Sequence, residues 1–168
     1  RRSAPYGYST YFKKTWTYYR SGFSYSGNGD MWIGNQKLHE VTTSRNWTLE
    51  IELRDWDYAK YKAIYNQFSV GDESSKFRLT IGGFDSSSTL GDAMAYHNGK
   101  KFTTYDHQNG DCTCDYSGAA WWFGCCYDSF LNGGKYGKGD PHSIRWLKKG
   151  NRVTSGSTWM ESTMKLIG

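Results

Sequence analysis

The residues with the clearest potential for chemistry begin at Asp106, where an alternating stretch gives way to a loop. Asp106, Gln108 and Asp111 offer side-chain oxygens, which are the ligands that calcium prefers. Two cysteines, Cys112 and Cys114, follow directly. Three interpretations are open from these residues: a metal site, a disulfide anchor, or a turn held by Asx-type hydrogen bonds to the backbone.

Cysteine spacing favours disulfides over a metal cage. The four cysteines are Cys112, Cys114, Cys125 and Cys126. A zinc ribbon needs two CxxC-type pairs, whereas these pairs are C-x-C and C-C, and adjacent cysteines chelate one tetrahedral metal poorly. Disulfides indicate an oxidising, extracellular compartment, so we expect a secreted protein. The glycosylation sequon that begins at Asn46 points the same way.

No catalytic constellation is found in the sequence. No histidine lies in an HExxH motif or beside GxSxG, and neither a Walker loop nor GxGxxG occurs. The carboxylates of Asp55 and Asp57 follow an alternating stretch, which indicates a solvated strand end. His97 sits among hairpin-like residues and is more typical of a structural histidine. The sequence therefore predicts that the protein is not an enzyme.

Composition and charge narrow the function further. The chain has 168 residues, of which 18% are aromatic, with 20 Gly and only 2 Pro. This predicts one loop-rich domain whose core is built from rings. The net charge of +5 is mild, and the basic residues are scattered, so a nucleic-acid partner is not expected. No apolar run approaches the roughly 18 residues that a membrane span requires.

Hydrophobic periodicity predicts the elements that must position these residues. An aromatic face at helical spacing predicts a helix over residues 10–23, and a second, short helix falls within 30–43. Strands are predicted at Trp47–Asp57, 59–70 and 76–84, a hairpin at Asn98-Gly99 with a short helix before it, and a returning strand at 157–168. The fold class is therefore α+β, an antiparallel β-sheet with short helices and a loop-rich C-terminal ligand-binding lobe. We divide this single domain into a central sheet (1–105), the lobe (106–156) and the returning strand.

The ordered motifs MWIGNQKLHEVT, LEIEL, GDAMAYHNGKKFTTYD, AAWWFGCC and LNG resemble the fibrinogen-related domain of fibrinogen chains, ficolins and tachylectins. The resemblance runs from Arg1 to the C-terminus and does not include the family's N-terminal subdomain. It implies a secreted recognition module, present as a homo-oligomer or within a larger extracellular assembly. Its ligand would be a carbohydrate, acetylated sugars included, or an extracellular protein. The alternative is a structural subunit of an extracellular complex, with a degenerate pocket.

The resemblance also implies a calcium site in the loop. The family motif is D-x-D-N-D, and the corresponding ligands here are Asp106, Gln108 and the main-chain carbonyls of Gly110 and Cys112. Gln108 and Gly110 depart from the motif. Calcium affinity follows ligand charge, and one carboxylate makes a poor cage. Asp111 or Asp115 would supply further charge only in a shifted loop.

Disulfide pairing follows from the same resemblance. In the family, a cysteine after the calcium loop pairs with the cysteine after the WW motif, which implies a bridge from Cys126 to Cys114, with Cys112 as the other possible partner. A second bridge between Cys112 and Cys125 would then lock the loop. A vicinal Cys125–Cys126 bond and intermolecular bridges remain alternatives.

The implied ligand pocket lies beside these cysteines. The family has a cis peptide bond before the cysteine, here Cys125–Cys126, which turns a backbone N–H toward the ligand. Tyr116 would form an aromatic wall, and Tyr127 stands where acetyl-binding members have histidine. Asp140 replaces a family aromatic, with His142 close by in sequence. These departures favour a charged or amino ligand over a purely acetylated one.

Overall fold

The computed structural model describes residues 2–3, 11–27, 29–109, 118–134, 140, 142–149, 152–153 and 158–168. The strands in chain order are β1 (Arg2–Ser3), β2 (Phe23–Tyr25), β3 (Asp30–Trp32), β4 (Trp47–Arg54), β5 (Lys60–Val70), β6 (Leu79–Phe84), β7 (Ser129–Phe130), β8 (Ile144–Trp146), β9 (Lys148–Lys149), β10 (Arg152–Val153), β11 (Thr158–Trp159) and β12 (Glu161–Ile167). The helices are α1 (Trp16–Ser21), α2 (Asn35–Thr43) and the 3₁₀ turn Ala95–His97.

A five-stranded antiparallel sheet forms the centre of the domain, with strand order β1-β12-β4-β5-β6. Alternation in β4 places Leu49, Ile51 and Leu53 in the core and turns the intervening polar residues outward. β12 returns between β1 and β4, which confirms the predicted returning strand. The α+β class with an antiparallel sheet is confirmed.

A smaller three-stranded sheet, β11-β8-β7, organises the described part of the lobe. Aromatic rings join it to the central sheet, where Tyr61 of β5 packs edge-on against Trp159 of β11 with centroids 5.4 Å apart. Trp121, Trp122 and Trp146 are fully buried, and the Trp122 ring packs against Trp32 and Phe102. The expectation of a core built from rings therefore holds across both sheets.

The first predicted helix is shorter than its periodicity suggested. It begins at Trp16 rather than at residue 10 and ends at Ser21. Gly22 stops it with a φ of +93°, and a Cβ atom there would lie 2.6 Å from the Ile33 carbonyl oxygen, so only glycine fits. The predicted element over 30–43 likewise divides into β3 and α2.

The predicted hairpin at Asn98-Gly99 is wrong. Gly99 does adopt a positive φ of +77°, but the flanking residues do not form two paired strands. The segment runs beside β6 instead. Asn98 Oδ1 accepts the Ile81 N–H at 3.0 Å, and the Gly99 N–H donates to the Leu79 carbonyl at 2.8 Å. The short helix expected before it is the 3₁₀ turn.

Candidate functional site

His97 joins the central domain to the lobe. Its side chain is buried, and Nδ1 lies 2.8 Å from the Trp122 carbonyl oxygen. Nε2 accepts the backbone N–H of Ser129 at 3.0 Å and that of Asp128 at 3.3 Å. Two donors facing Nε2 require the tautomer with hydrogen on Nδ1. The predicted structural role of His97 is confirmed, and its ring fixes the chain directly after the candidate pocket.

The Gly91-Asp92 pair makes further contacts between the central part of the domain and the lobe. The Trp146 indole N–H donates to the Gly91 carbonyl at 3.0 Å. Asp92 Oδ1 accepts the Tyr65 hydroxyl at 2.8 Å and the Ala95 N–H at 2.9 Å. Burial and the nearby Asp92 charge raise the pKa of Tyr65 far above its ordinary value. This segment therefore ties β5 to β8 through polar contacts.

The two adjacent cysteines have different roles. Cys125 is disulfide-bonded, with a partner outside the described residues, whereas Cys126 carries a thiol. The expected bridge through Cys126 is therefore wrong, and so is the vicinal alternative. Neighbouring side chains point in different directions, so only one of the pair can reach across to a given partner. Cys112 and Cys114 lie outside the described residues.

The backbone at Cys126 forms a tight, left-handed turn. Its φ is +84°, which is rare for a residue with a Cβ atom, and the Gly124 N–H donates to the Cys126 carbonyl at 3.1 Å. The peptide bond between Cys125 and Cys126 is trans, so the expectation of a cis bond here is wrong. The turn still presents backbone at the position where the pocket was predicted.

Aromatic side chains lie on both sides of this turn. Tyr127 is half-buried, and its ring packs against Phe123 and Phe130, with centroids 6.4 and 5.6 Å away. Tyr96, which the sequence reasoning missed, is 36% exposed. A Cβ atom on Gly124 would lie 2.8 Å from the Tyr96 hydroxyl. Only the fold brings Tyr96 to this turn, because 28 residues of sequence (124 minus 96) separate it from Gly124.

Asp140 and His142 form the second predicted part of the site. Asp140 Oδ1 accepts the His142 N–H at 2.8 Å and lies 2.9 Å from His142 Nδ1. Burial alone would raise the pKa of Asp140, but the hydrogen bonds from His142 hold that pKa below its ordinary value. Arg145, also missed from the sequence, acts in the same direction. The pair thus presents a carboxylate that stays ionised.

The β7–β8 register relates the turn to this acidic pair. Ser129 stands opposite Trp146 and Phe130 opposite Arg145. The Cys126 turn therefore precedes one end of the strand pair, and Asp140 precedes the other. The two predicted parts of the site therefore lie at opposite ends of this short strand pair. Tyr116, the predicted wall, lies outside the described residues.

Asp106, the predicted calcium ligand, contacts helix α1. Its Oδ1 accepts the Trp16 N–H at 2.9 Å and the Thr104 hydroxyl at 2.7 Å. The carboxylate thus caps the helix from 90 residues away in sequence. Gln108 is exposed, and Gly110 and Cys112 lie outside the described residues. No group of three His, Cys, Asp or Glu that could hold a metal is found among the described residues, and a calcium site that includes Asp106 and Gln108 stays a prediction.

Removing the Asp106 charge is expected to weaken the domain without calcium being involved. Asp106→Asn should lower the free energy of unfolding by about 0.3–1 kcal/mol, because an amide can still accept the Trp16 N–H but lacks the negative charge that stabilises a helix N-terminus. Urea unfolding, with and without a calcium chelator, measures this loss. Asp57→Asn is the matched control, since Asp57 is exposed in a turn. A loss that appears only when calcium is present would contradict the capping role.

Asn46 is the remaining predicted modification site. It is exposed between α2 and β4, and its Nδ2 donates to the Asn66 carbonyl at 3.0 Å. Exposure is what a glycan acceptor needs, but glycosylation of Asn46 stays a prediction.

Residues 6–167 match the family model described as fibrinogen beta and gamma chains, C-terminal globular domain. The chain belongs to this family. It is 37% identical to fibrinogen-like protein A of Apostichopus parvimensis over 141 residues, which are 80% of this chain and 49% of that protein. It is 38% identical to human ficolin-3 over 126 residues, 73% of this chain and 41% of that protein. The chain thus spans about half the length, or less, of these curated relatives.

A solved structure agrees with this assignment. The lamprey fibrin D-dimer, complexed with the peptide Gly-His-Arg-Pro-amide, has a TM-score of 0.80 and 26% sequence identity, covering 92% of this chain and 56% of that chain. The fibrinogen-like domain family consists of non-enzymatic recognition proteins, which agrees with the expectation that this domain is not an enzyme. In the described residues, no helix is long and apolar enough to cross a membrane.

Proposed function

We propose that this fibrinogen-like domain is a secreted recognition module that binds carbohydrate through the surface between the Cys126 turn and Asp140. The left-handed Cys126 backbone carries the proposal, since strained backbone of this kind concentrates at ligand clamps. The strained conformation of Cys126 costs free energy. His97 stabilises it by accepting the backbone N–H of Ser129, which follows the turn.

The side chains around the turn suit a sugar. Tyr96 is exposed and Tyr127 is half-buried, and aromatic rings supply the apolar faces on which sugars stack. Asp140 adds an ionised acceptor for hydroxyl or amino groups. Single sites of this size bind weakly, so useful avidity would come from a homo-oligomer or from a larger extracellular assembly.

Calorimetric titration with N-acetylglucosamine tests this function. Asp140→Asn and Tyr96→Ala should each raise the Kd about tenfold, since each removes one directional or stacking contact. Tyr18→Ala is the matched control, because Tyr18 is an exposed tyrosine on α1, and it should leave the Kd unchanged. Titration with and without a calcium chelator shows whether binding depends on calcium.

Two outcomes of the titration would contradict the proposed binding of carbohydrate. Binding of Gly-His-Arg-Pro-amide but not of sugar would make the ligand a peptide amine facing Asp140. No binding of either probe would overturn the recognition role and favour the alternative of an assembly subunit.

A further inference from the structure

Arg145 is an arginine of the lobe whose guanidinium group has no acceptor among the described residues. Its Nε atom is buried and makes no hydrogen bond. The other arginines with described side chains each contact an acceptor or a ring, namely Arg20 with Glu73, Arg54 with Glu161, Arg78 with the Gly99 carbonyl and Arg45 with the Trp47 ring. Buried donors are normally paired, so this unpaired donor points to an acceptor that the described fold does not supply.

Arg145 lies at the centre of β8, the middle strand of the small sheet. It stands opposite Phe130 on β7 and Thr158 on β11, so these three side chains share one face of the sheet. The Phe130 ring packs against Tyr127 with centroids 5.6 Å apart. Arg145 is therefore linked through Phe130 to the aromatic residue that follows the Cys126 turn, within the proposed sugar site.

Arg145 also lies close to the acidic pair of that site. Its positive charge helps to hold the pKa of Asp140 below its ordinary value, although no ion pair joins the two side chains among the described residues. Asp140 Oδ1 is occupied by the backbone N–H and the Nδ1 atom of His142, which leaves the second oxygen as an acceptor. Arg145 is only half-buried, so a ligand can reach its terminal nitrogens. A cation and a carboxylate acceptor thus lie side by side.

We propose that Arg145 makes the lobe selective for a sugar that carries a carboxylate. This inference rests on the proposed binding of carbohydrate and names the class of sugar. A guanidinium stays charged at every physiological pH, and its planar fork of N–H donors matches the two oxygens of a carboxylate. The ligand carboxylate supplies the acceptor that Arg145 lacks.

The neighbouring Asp140 restricts the ligand further. A carboxylate without other polar groups would gain the contact with Arg145 but would also be repelled by the charge of Asp140. A sugar acid offsets this repulsion, because its hydroxyl groups donate to the second oxygen of Asp140. A phosphate carries up to two negative charges and would be repelled more strongly. The site therefore fits a singly charged sugar acid, either a uronic acid or a sialic acid.

Calorimetric titration of each acid against its own neutral methyl ester tests the proposal. The first pair of ligands is methyl glucuronide and its methyl ester, and the second is the methyl glycoside of N-acetylneuraminic acid and its methyl ester. In at least one pair, the acid should bind about tenfold more tightly than the ester. The pair that shows this preference identifies the sugar as a uronic or a sialic acid. Raising the ionic strength should reduce the preference, since the contact joins two charges near the surface.

Variants of Arg145 locate the carboxylate. Arg145→Gln should make the Kd values of acid and ester equal, because glutamine retains N–H donors but has no charge. Arg145→Lys retains the charge without the planar fork and should keep a smaller preference. Arg45→Gln is the matched control, since Arg45 packs on Trp47 of the central sheet, and it should leave the preference unchanged. Circular dichroism and urea unfolding show whether each variant is folded.

This proposal and the proposed function fail in different ways. Binding of N-acetylglucosamine, with neither acid preferred to its ester, would overturn the role of Arg145 and leave carbohydrate binding intact. No binding of any of these sugars would overturn both. A preference for the acid that persists in folded Arg145→Gln would mean that another group binds the carboxylate, and it would overturn the role of Arg145. The comparison of acid with ester in the unmodified chain holds even if an Arg145 variant does not fold.

Discussion

Replacing His97 with phenylalanine is expected to lower the free energy of unfolding by about 3–5 kcal/mol. Phenylalanine fills a similar volume but cannot accept the N–H groups of Asp128 and Ser129 or donate to the Trp122 carbonyl. Up to three polar backbone groups would then lose their partner in the interior, each costing about 1–3 kcal/mol. Urea unfolding followed by tryptophan fluorescence measures the loss.

His97→Gln and His107→Phe are the matched controls for this prediction. Glutamine keeps one donor and one acceptor, so it should restore part of the lost stability. His107 is an exposed histidine whose ring stacks on Trp16, and phenylalanine preserves that stacking. A loss in His97→Phe no greater than that in His107→Phe would show that the buried ring is not a structural link.

Individual strands of the central sheet could be predicted from sequence because their residues alternate between apolar and polar, whereas the strand order could not. In β4 the period of two assigns Leu49, Ile51 and Leu53 to one face. β12 is likewise recognisable as a returning strand. Both elements bury one face against the core, so a shifted register would expose every apolar residue, and the pattern is strongly constrained.

Hydrophobic periodicity cannot predict contacts between segments that are distant in sequence. Helix α1 begins at Trp16 because Asp106 caps it, and nothing local to residues 10–23 records that contact. The hairpin prediction failed for a related reason. The Asn98 side chain occupies a position beside β6 that a strand backbone would otherwise take.

The candidate site likewise contains residues that the sequence identifies and residues that only the fold identifies. Asp140 and His142 could be recognised as a unit because a single residue separates them, which keeps them close together in any fold. The exposed Tyr96 could not, since its place beside Gly124 depends on the path of the whole lobe. Choosing between Cys125 and Cys126 as the bridging residue required the backbone direction at the turn.

Replacing Trp122 with phenylalanine is expected to destabilise the domain by about 2–4 kcal/mol. The indole N–H donates to the Phe77 carbonyl at 2.7 Å in the interior. Phe77 has a φ of +48° and Lys76 a φ of +61°, so the indole holds a turn whose backbone is strained. The smaller ring would leave that carbonyl unpaired and a void beside Trp32. Urea unfolding gives the size of the loss.

Trp47→Phe is the matched control, because the Trp47 indole also donates to a backbone carbonyl, that of Val41 at 2.9 Å, but is only partly buried. Water can replace that bond, so the control should cost no more than about 1 kcal/mol. Hydrogen exchange at the amide of Phe77, which donates to the Asp72 carbonyl, should accelerate in Trp122→Phe beyond the change in global stability. Equal losses in the two variants, with no local change at Phe77, would mean that Trp122 contributes only apolar burial and that the left-handed turn is held by its own backbone.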